Sequence, residues 1–354
     1  MAEIQLNARV ISKVELSARV MTLRVAADGW ELPDFIPGQF AVLGLPGSAP
    51  RSQWSEPEPV PSDPEKLIRR SYSVTSSSKN KEYMEFYISM LSTGALSPRL
   101  FALKVGDPLW LGPKTSGIFT LNQVPKEKHI AMVATGTGLA PYISMLTSEL
   151  NCGAERKFAV LHGAYHSWDL GYRSELQTMA FLCHNFSYVT TIDRPQDEPV
   201  PWTGKTGWVQ QIWRSGAVTE ALGFKPTPEN THVFLCGVSG MVNAMMEALT
   251  EEGFVEVELA LSGPSLLQGP LGFSLHATGT FWGEAPVGWR PRTSRVFGST
   301  VTNSDRGNCF QSIPSGVNST SCPWLPTPTN RNAAEPSTGT EIRLGTKRIV
   351  LMTS

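Results

Sequence analysis

Residues 129–150, HIAMVATGTGLAPYISMLTSEL, decide how this chain is read. A short apolar run ends at Thr135, a Gly-Thr-Gly turn follows, and Ile143, Leu146 and Leu150 then recur at helical spacing. Strand, glycine turn and helix in that order make one βα unit. Pro141 suits the first helical turn, where the N–H it lacks would have no internal partner. Gly136 and Gly138 let backbone amides approach a pyrophosphate at the head of the helix. The run Gly136-Thr137-Gly138-Leu139-Ala140-Pro141 is neither G-x-G-x-x-G nor a Walker loop with its lysine, and a purely structural βα turn competes for it.

The same rhythm continues downstream to about residue 255. KFAVLHGA, SELQTMAFLC, FSYVTTID, a helix around 209–213, HVFLCG and MVNAMMEALTEEG alternate strand with helix, with Gly253 as a helix stop. This predicts a mostly parallel sheet covered by helices over residues 123–255. Upstream, residues 7–121 carry closely spaced β-like runs separated by turns at Asp28-Gly29, Pro37-Gly38 and Gly106-Asp107. They predict an antiparallel barrel or sandwich over residues 1–122. The Pro-, Ser- and Glu-rich residues 46–64 cannot sustain a strand ladder and read as a surface loop.

Residues 256–354 differ from both. Gly, Pro, Ser and Thr make up 44 of these 99 residues and only 14 are charged. Such a segment struggles to bury enough apolar surface to offset chain entropy, although Trp282, Trp289 and Trp324 are unusual in a solvated linker. A disordered or poorly packed tail is expected. A length of 354 residues thus divides into two domains and an appendage.

The overall composition excludes several classes. Thirty Lys and Arg against 31 Asp and Glu leave a net charge of -1, which removes a global drive toward nucleic acid or anionic membrane. No stretch reaches the ~20 apolar residues of a membrane span, and the opening MAEIQLNARV lacks a signal core, so the cytoplasm is the expected compartment. The five cysteines are scattered without C-x-x-C, which argues against a disulfide framework, a zinc module and an iron–sulfur cluster. Redox chemistry therefore needs another carrier.

Three further motifs carry chemistry. Arg70-Ser71-Tyr72-Ser73 gathers a fixed cation, a flat ring and a hydroxyl on one strand. Those groups suit a flavin dinucleotide: a cation on its pyrophosphate, a ring against the isoalloxazine, a hydrogen bond near N5. Strand alternation would point Arg70 and Tyr72 to one side unless the strand bends, and a surface arginine beside a packed tyrosine is the plainer alternative. Gly94-Ala95-Leu96-Ser97-Pro98-Arg99-Leu100 offers a turn, exposed amides and the Ser97 hydroxyl for a phosphate, or an ordinary Ser N-cap. Cys236-Gly237 ends a strand where ligands of parallel sheets bind; a buried structural cysteine is the alternative.

In this order the four motifs resemble the ferredoxin–NADP reductase superfamily, over roughly residues 4–255 and most closely its bacterial single-polypeptide reductases. The resemblance implies an FAD-binding β-barrel followed by an NADP-binding α/β domain. It places Arg70, Tyr72 and Ser73 at FAD, and Gly94, Leu96 and Ser97 at its pyrophosphate. Gly136, Thr137, Gly138 and Pro141 would face the NADP pyrophosphate, and Cys236 with Gly237 the nicotinamide. Ser73 and Cys236 are the residues it puts nearest the chemistry. Arg194 and Lys205 resemble basic positions for the 2′-phosphate, favouring NADP over NAD, while Asp193 and Tyr165 depart from the pattern. His162 and His166 receive only structural or surface roles, because hydride transfer needs no acid or base.

The implied activity moves electrons between NADP(H) and ferredoxin or flavodoxin, by a monomer. An oxygenase reductase component, a free-flavin reductase, or an inactive product is the alternative. The resemblance stops near residue 255. There the chain is read as frame-shifted or joined to foreign sequence around residues 255–261, with the family's flavin-covering terminal aromatic missing; an accessory docking tail is the other reading.

Overall fold

Alternating apolar residues build the first sheet. In the computed structural model, which describes residues 5–256 and the backbone of 279–283, strands β1 (Ala8–Ser17), β2 (Val20–Ala27), β3 (Phe40–Pro46), β4 (Leu67–Ser73), β5 (Met84–Ser89) and β6 (Pro108–Leu111) form one antiparallel sheet. Its order is β4-β3-β6-β1-β2-β5. A bridge between Val74 and Phe86 brings the two edge strands together and closes the barrel, which removes the unpaired edges of an open sheet. Met21, Leu23, Val25, Leu43, Phe86, Ile88 and Leu109 point inward and are fully buried. Gly29 and Gly106, in two of the expected turns, take φ of 80° and 93°, a region that disfavours residues with a Cβ.

The loop of residues 47–66 forms no strand, as its composition predicts, yet it is tied down. Glu58 is clamped by Arg99 from helix α1 (Ser97–Ala102) and by Arg51 at 2.8 Å, and it accepts the Ser62 N–H at 2.7 Å. The two arginines also donate to the carbonyls of Gly94 (2.7 Å), Ser92 (3.0 Å) and Gly47 (2.6 Å). The loop is thereby fastened to the segment that leads into α1.

The second sheet runs β10 (Lys205–Thr206), β9 (Phe186–Ile192), β8 (Phe158–Ala164), β7 (His129–Thr135) and β11 (Thr231–Cys236), all parallel. Period two sorts its side chains between the faces. Ile130, Met132, Ala134, Phe158, Val160 and Phe234 meet helices α2 (Ala140–Glu149) and α3 (Arg173–Leu182) on one face. Ala131, Val133, Ala159, Leu161, Val233 and Leu235 meet α4 (Val209–Arg214), α5 (Ala217–Leu222) and α6 (Ser239–Glu251) on the other. Each fully buried large side chain, such as Phe234, contributes ~1.5–3 kcal/mol. Helix α5 was not anticipated as separate from α4; Gly216, at φ 82°, divides them.

Two strands extend this sheet antiparallel: β12 (Val255–Glu256) and β13 (Gly279–Gly283), the latter seated between β11 and β12. A piece of the compositionally atypical tail therefore continues the sheet. The expected disorder of the rest of the tail, and the missing terminal aromatic, fall outside the described residues.

One expectation is corrected. Cys152, after α2, and Cys183, at the end of α3, form a disulfide with Cα atoms 4.6 Å apart. Thirty-one residues separate them in sequence, and only packing of both helices on one sheet face brings their ends together.

Candidate functional site

The motif residues fall at the barrel's open end and at the carboxyl ends of β7 and β11. On β4, Tyr72 is buried at 8% exposure and Ser73 at 6%, whereas Arg70 is exposed. Burial rises along β4 toward Val74, where the ladder with β3 continues through the Val74 N–H to the Gln39 carbonyl and a bridge to Phe86 joins β5. Arg70 lies close enough to Tyr72 to lower its hydroxyl pKa, although burial dominates and raises it. The guanidinium donates to the Arg69 carbonyl (2.8 Å) and has no carboxylate partner among the described residues. The Ser73 hydroxyl likewise has no protein hydrogen-bond partner among them. An unneutralised cation, a held ring and an unengaged hydroxyl in four residues are what an anionic aromatic dinucleotide requires.

Leu96, not Ser97, occupies the N-cap of α1, which corrects the expected serine cap. Ser97 is the first helical residue, and its Oγ accepts the Leu91 N–H at 3.0 Å. That bond closes the turn through Gly94 and leaves the hydroxyl proton for donation. Leu96 is buried at 1% and holds the segment against the barrel core.

The Gly136–Leu139 turn is a single 3-10 turn running into α2, with Pro141 in the first helical turn as expected. Gly136 takes φ 52°. A Cβ on Gly138 would collide with the Cys236 carbonyl and with Gly237, so only glycine lets this loop lie on the end of β11. Gly237 adopts φ 151°, and the next amide, Val238 N–H, donates to the Thr135 Oγ1 at 3.1 Å. Gly136, Thr137, Gly138, Cys236 and Gly237 are thus one backbone cradle. Burial pushes the Cys236 thiol up to about 12, so it stays protonated at neutral pH and packs as a neutral buried thiol rather than a nucleophile.

Arg194 follows β9, and its guanidinium lies 4.8 Å above the Tyr165 ring. Lys205 stands exposed on β10, paired with Thr191 of β9, so both cations sit at the same end of the sheet. Tyr165 does not replace an arginine chemically, but it supplies the shelf on which Arg194 rests.

Behind the cradle stands His162, which the sequence reading left with a structural or surface role without placing it. His162 on β8 is fully buried; its Nε2 meets the Gly136 carbonyl at 3.2 Å, and its Nδ1 meets the Tyr188 hydroxyl at 3.0 Å. Burial lowers its pKa to about 4, so the imidazole is neutral and supports the Gly136 peptide. The run HGAYH invited a chemical role, but only its distance from Gly136 reveals the role as support. The barrel and the cradle also touch directly, through Ser89 Oγ and Thr137 Oγ1 at 3.0 Å.

An oxidoreductase NAD-binding domain model matches residues 132–247. The flavodoxin/ferredoxin–NADP reductase of Shigella flexneri is 30% identical over 208 residues, covering 59% of this chain and 76% of that protein. The chain belongs to the ferredoxin–NADP reductase superfamily. A further relative, the toluate 1,2-dioxygenase electron transfer component of Pseudomonas putida, is 28% identical over 242 residues, 68% of this chain and 61% of that one. Among solved structures, the ferredoxin NADP+ reductase of Neisseria gonorrhoeae with bound FAD and NADP superposes with a TM-score of 0.59 at 20% identity. That superposition covers 70% of this chain and 92% of the other, and shows that the two share the reductase fold. Among the described residues no helix is long and apolar enough to cross a membrane.

Proposed function

We propose that the chain is an FAD-dependent oxidoreductase passing electrons between NADP(H) and a ferredoxin or flavodoxin in the cytoplasm, with residues 1–122 holding FAD and 123–255 holding NADP(H). The observation that carries this reading is the backbone cradle of Gly136, Gly138, Cys236 and Gly237, joined through Thr137 to the barrel that bears Arg70, Tyr72 and Ser73. When bound, the two cofactors supply a hydride exchange between nicotinamide C4 and flavin N5 and one-electron delivery to the carrier.

The protein's part is orientation. Arg70 neutralises the flavin pyrophosphate, and the amides of residues 94–97 with the Ser97 proton hold its oxygens. Tyr72 braces one face of the ring, and Ser73 hydrogen-bonds near N5. The amides of residues 136–138 bind the NADP pyrophosphate at the head of the ten-residue helix α2, where the helix dipole favours negative charge. Cys236, a neutral thiol, borders the nicotinamide. Arg194 and Lys205 present positive charge to the 2′-phosphate.

Reconstitution with FAD followed by stopped-flow reduction tests the proposal. Flavin absorbance and faster bleaching by NADPH than by NADH are expected; a chain that takes up no flavin refutes it, and equal rates and affinities for the two nucleotides refute the role of Arg194 and Lys205. The similarity to the dioxygenase component favours an oxygenase partner as the second reading. Reduction of cytochrome c that proceeds only with added ferredoxin or flavodoxin separates the two.

A further inference from the structure

Two tyrosines cross between the barrel and the parallel-sheet half. Tyr87 leaves β5, is 1% exposed, and inserts its hydroxyl into the turn before α3, donating to the Asp169 carbonyl at 3.2 Å and accepting the Gly171 N–H at 3.1 Å. Tyr172, the next residue of that turn, reaches the opposite way. Its hydroxyl donates to Glu85 Oε1 on β5 at 2.6 Å, and lies 3.4 Å from Thr75 Oγ1. The rings meet edge to face with centroids 5.3 Å apart at 90°.

Three details set this contact apart from ordinary packing. Tyr172 has φ 59°, the one positive value at a non-glycine residue among those described, a strained conformation that persists only where surroundings enforce it. A Cβ at Gly171 would run into the Tyr87 hydroxyl, so glycine is required there. Glu85 is 7% exposed and is held from behind by Arg24 at 2.6 Å, which fixes its carboxylate as an acceptor for Tyr172. Other polar contacts between the halves, among them Ser89 Oγ with Thr137 Oγ1 (3.0 Å), Ser144 Oγ to the Ser76 carbonyl (2.9 Å) and Ser77 Oγ and Ser78 N–H with Ser148 Oγ (3.1 and 2.9 Å), rest on small hydroxyl side chains on or beside α2.

We infer that the crossed pair Tyr87–Tyr172, anchored on Glu85, is the lock that fixes the register of the barrel against the parallel sheet and so positions nicotinamide over flavin. The inference rests on the proposed function for its chemical consequence. Tyr87 and Tyr172 are positioning residues: hydride transfer is steep in distance, and a misplacement of about 1 Å costs on the order of a hundredfold in rate.

The test uses the full-length chain loaded with FAD, in wild type and in Tyr87→Phe, Tyr172→Phe and Glu85→Gln. Two quantities are read: amide hydrogen exchange of the peptide containing residues 169–172, without nucleotide, and the limiting rate of flavin reduction at saturating NADPH. Both Phe variants are expected to exchange at least tenfold faster and reduce flavin at least tenfold more slowly, with FAD and NADP+ dissociation constants within twofold of wild type. Glu85→Gln keeps an acceptor oxygen for Tyr172 and is expected to stay within threefold on both counts. Either readout moving alone overturns the inference, as does a loss confined to cofactor affinity. If Tyr87→Phe does not hold FAD, Tyr172→Phe decides. A wild-type chain that NADPH cannot reduce refutes the proposed function instead, and rapid exchange of residues 169–172 in that wild type refutes the lock.

Discussion

Replacing Glu58 with Gln separates charge from shape at the clamp that fastens the 47–66 loop. The Glu58 and Arg99 side chains are 7% and 5% exposed. Burial pushes the Glu58 carboxyl up, but hydrogen bonds from Arg99 and Ser62 outweigh it and bring it from 4.5 down to about 2. At about 1.4 kcal/mol per pH unit the fall corresponds to ~3 kcal/mol, or ~2 after allowing for water at the loop surface. Removing one partner of a buried pair costs ~3–5 kcal/mol, which sets the upper bound. The folded-state pKa is depressed, so the contribution is complete above pH 4.5 and is lost as pH falls through 2. Urea unfolding of wild type and Glu58→Gln is expected to differ by ~2–3 kcal/mol at pH 7, and by roughly half that at pH 3, where wild type begins to resemble the variant. A difference below ~1 kcal/mol at pH 7, or one that does not shrink at pH 3, refutes the reasoning. Because Arg99 also anchors the Gly47 and Ala95 carbonyls, FAD affinity should weaken in the same variant.

The remaining predictions concern the two cofactor cradles. Arg70→Ala removes a charged donor worth ~1.5–3 kcal/mol, so the FAD dissociation constant is expected to rise roughly 10- to 100-fold; unchanged flavin content in the purified protein rejects its pyrophosphate role. Gly138→Ala, whose methyl collides with backbone, should raise KM for NADPH far more than Gly136→Ala, which meets nothing within 4 Å and bears only the strain of φ 52°; equal effects in steady-state assays argue against the cradle. His162, with a folded pKa of about 4 below its ordinary 6.5, leaves stability intact above pH 6.5 and lowers it as pH falls toward 4, by about 3 kcal/mol. His162→Gln should flatten the dependence of the unfolding midpoint between those values, and an identical slope in both proteins would falsify this account.

Local chemistry was legible without coordinates. Period-two runs and turn glycines announced the barrel, and the alternation of strand and helix announced the parallel sheet, because both follow from backbone geometry and side-chain periodicity. The four motifs were legible because each keeps its chemistry within a few adjacent residues. Ser97 was misplaced by one position, since a cap depends on where the backbone enters the helix, and that entry is set by Leu96 packing into the barrel.

What only the tertiary structure decided involves residues distant in sequence. Cys152 meets Cys183, Glu58 meets Arg99, His162 meets Gly136, and Tyr87 crosses Tyr172, across separations from 26 to 85 residues. None of these pairs has a local signature, because each partner obeys its own strand, loop or helix pattern. The sequence by itself determined which chemical groups the motifs carry and on which local frames they stand. Packing decided how those frames meet, through buried polar contacts whose strength depends on excluding water, a property that appears only once the two sheets and their helices have come together.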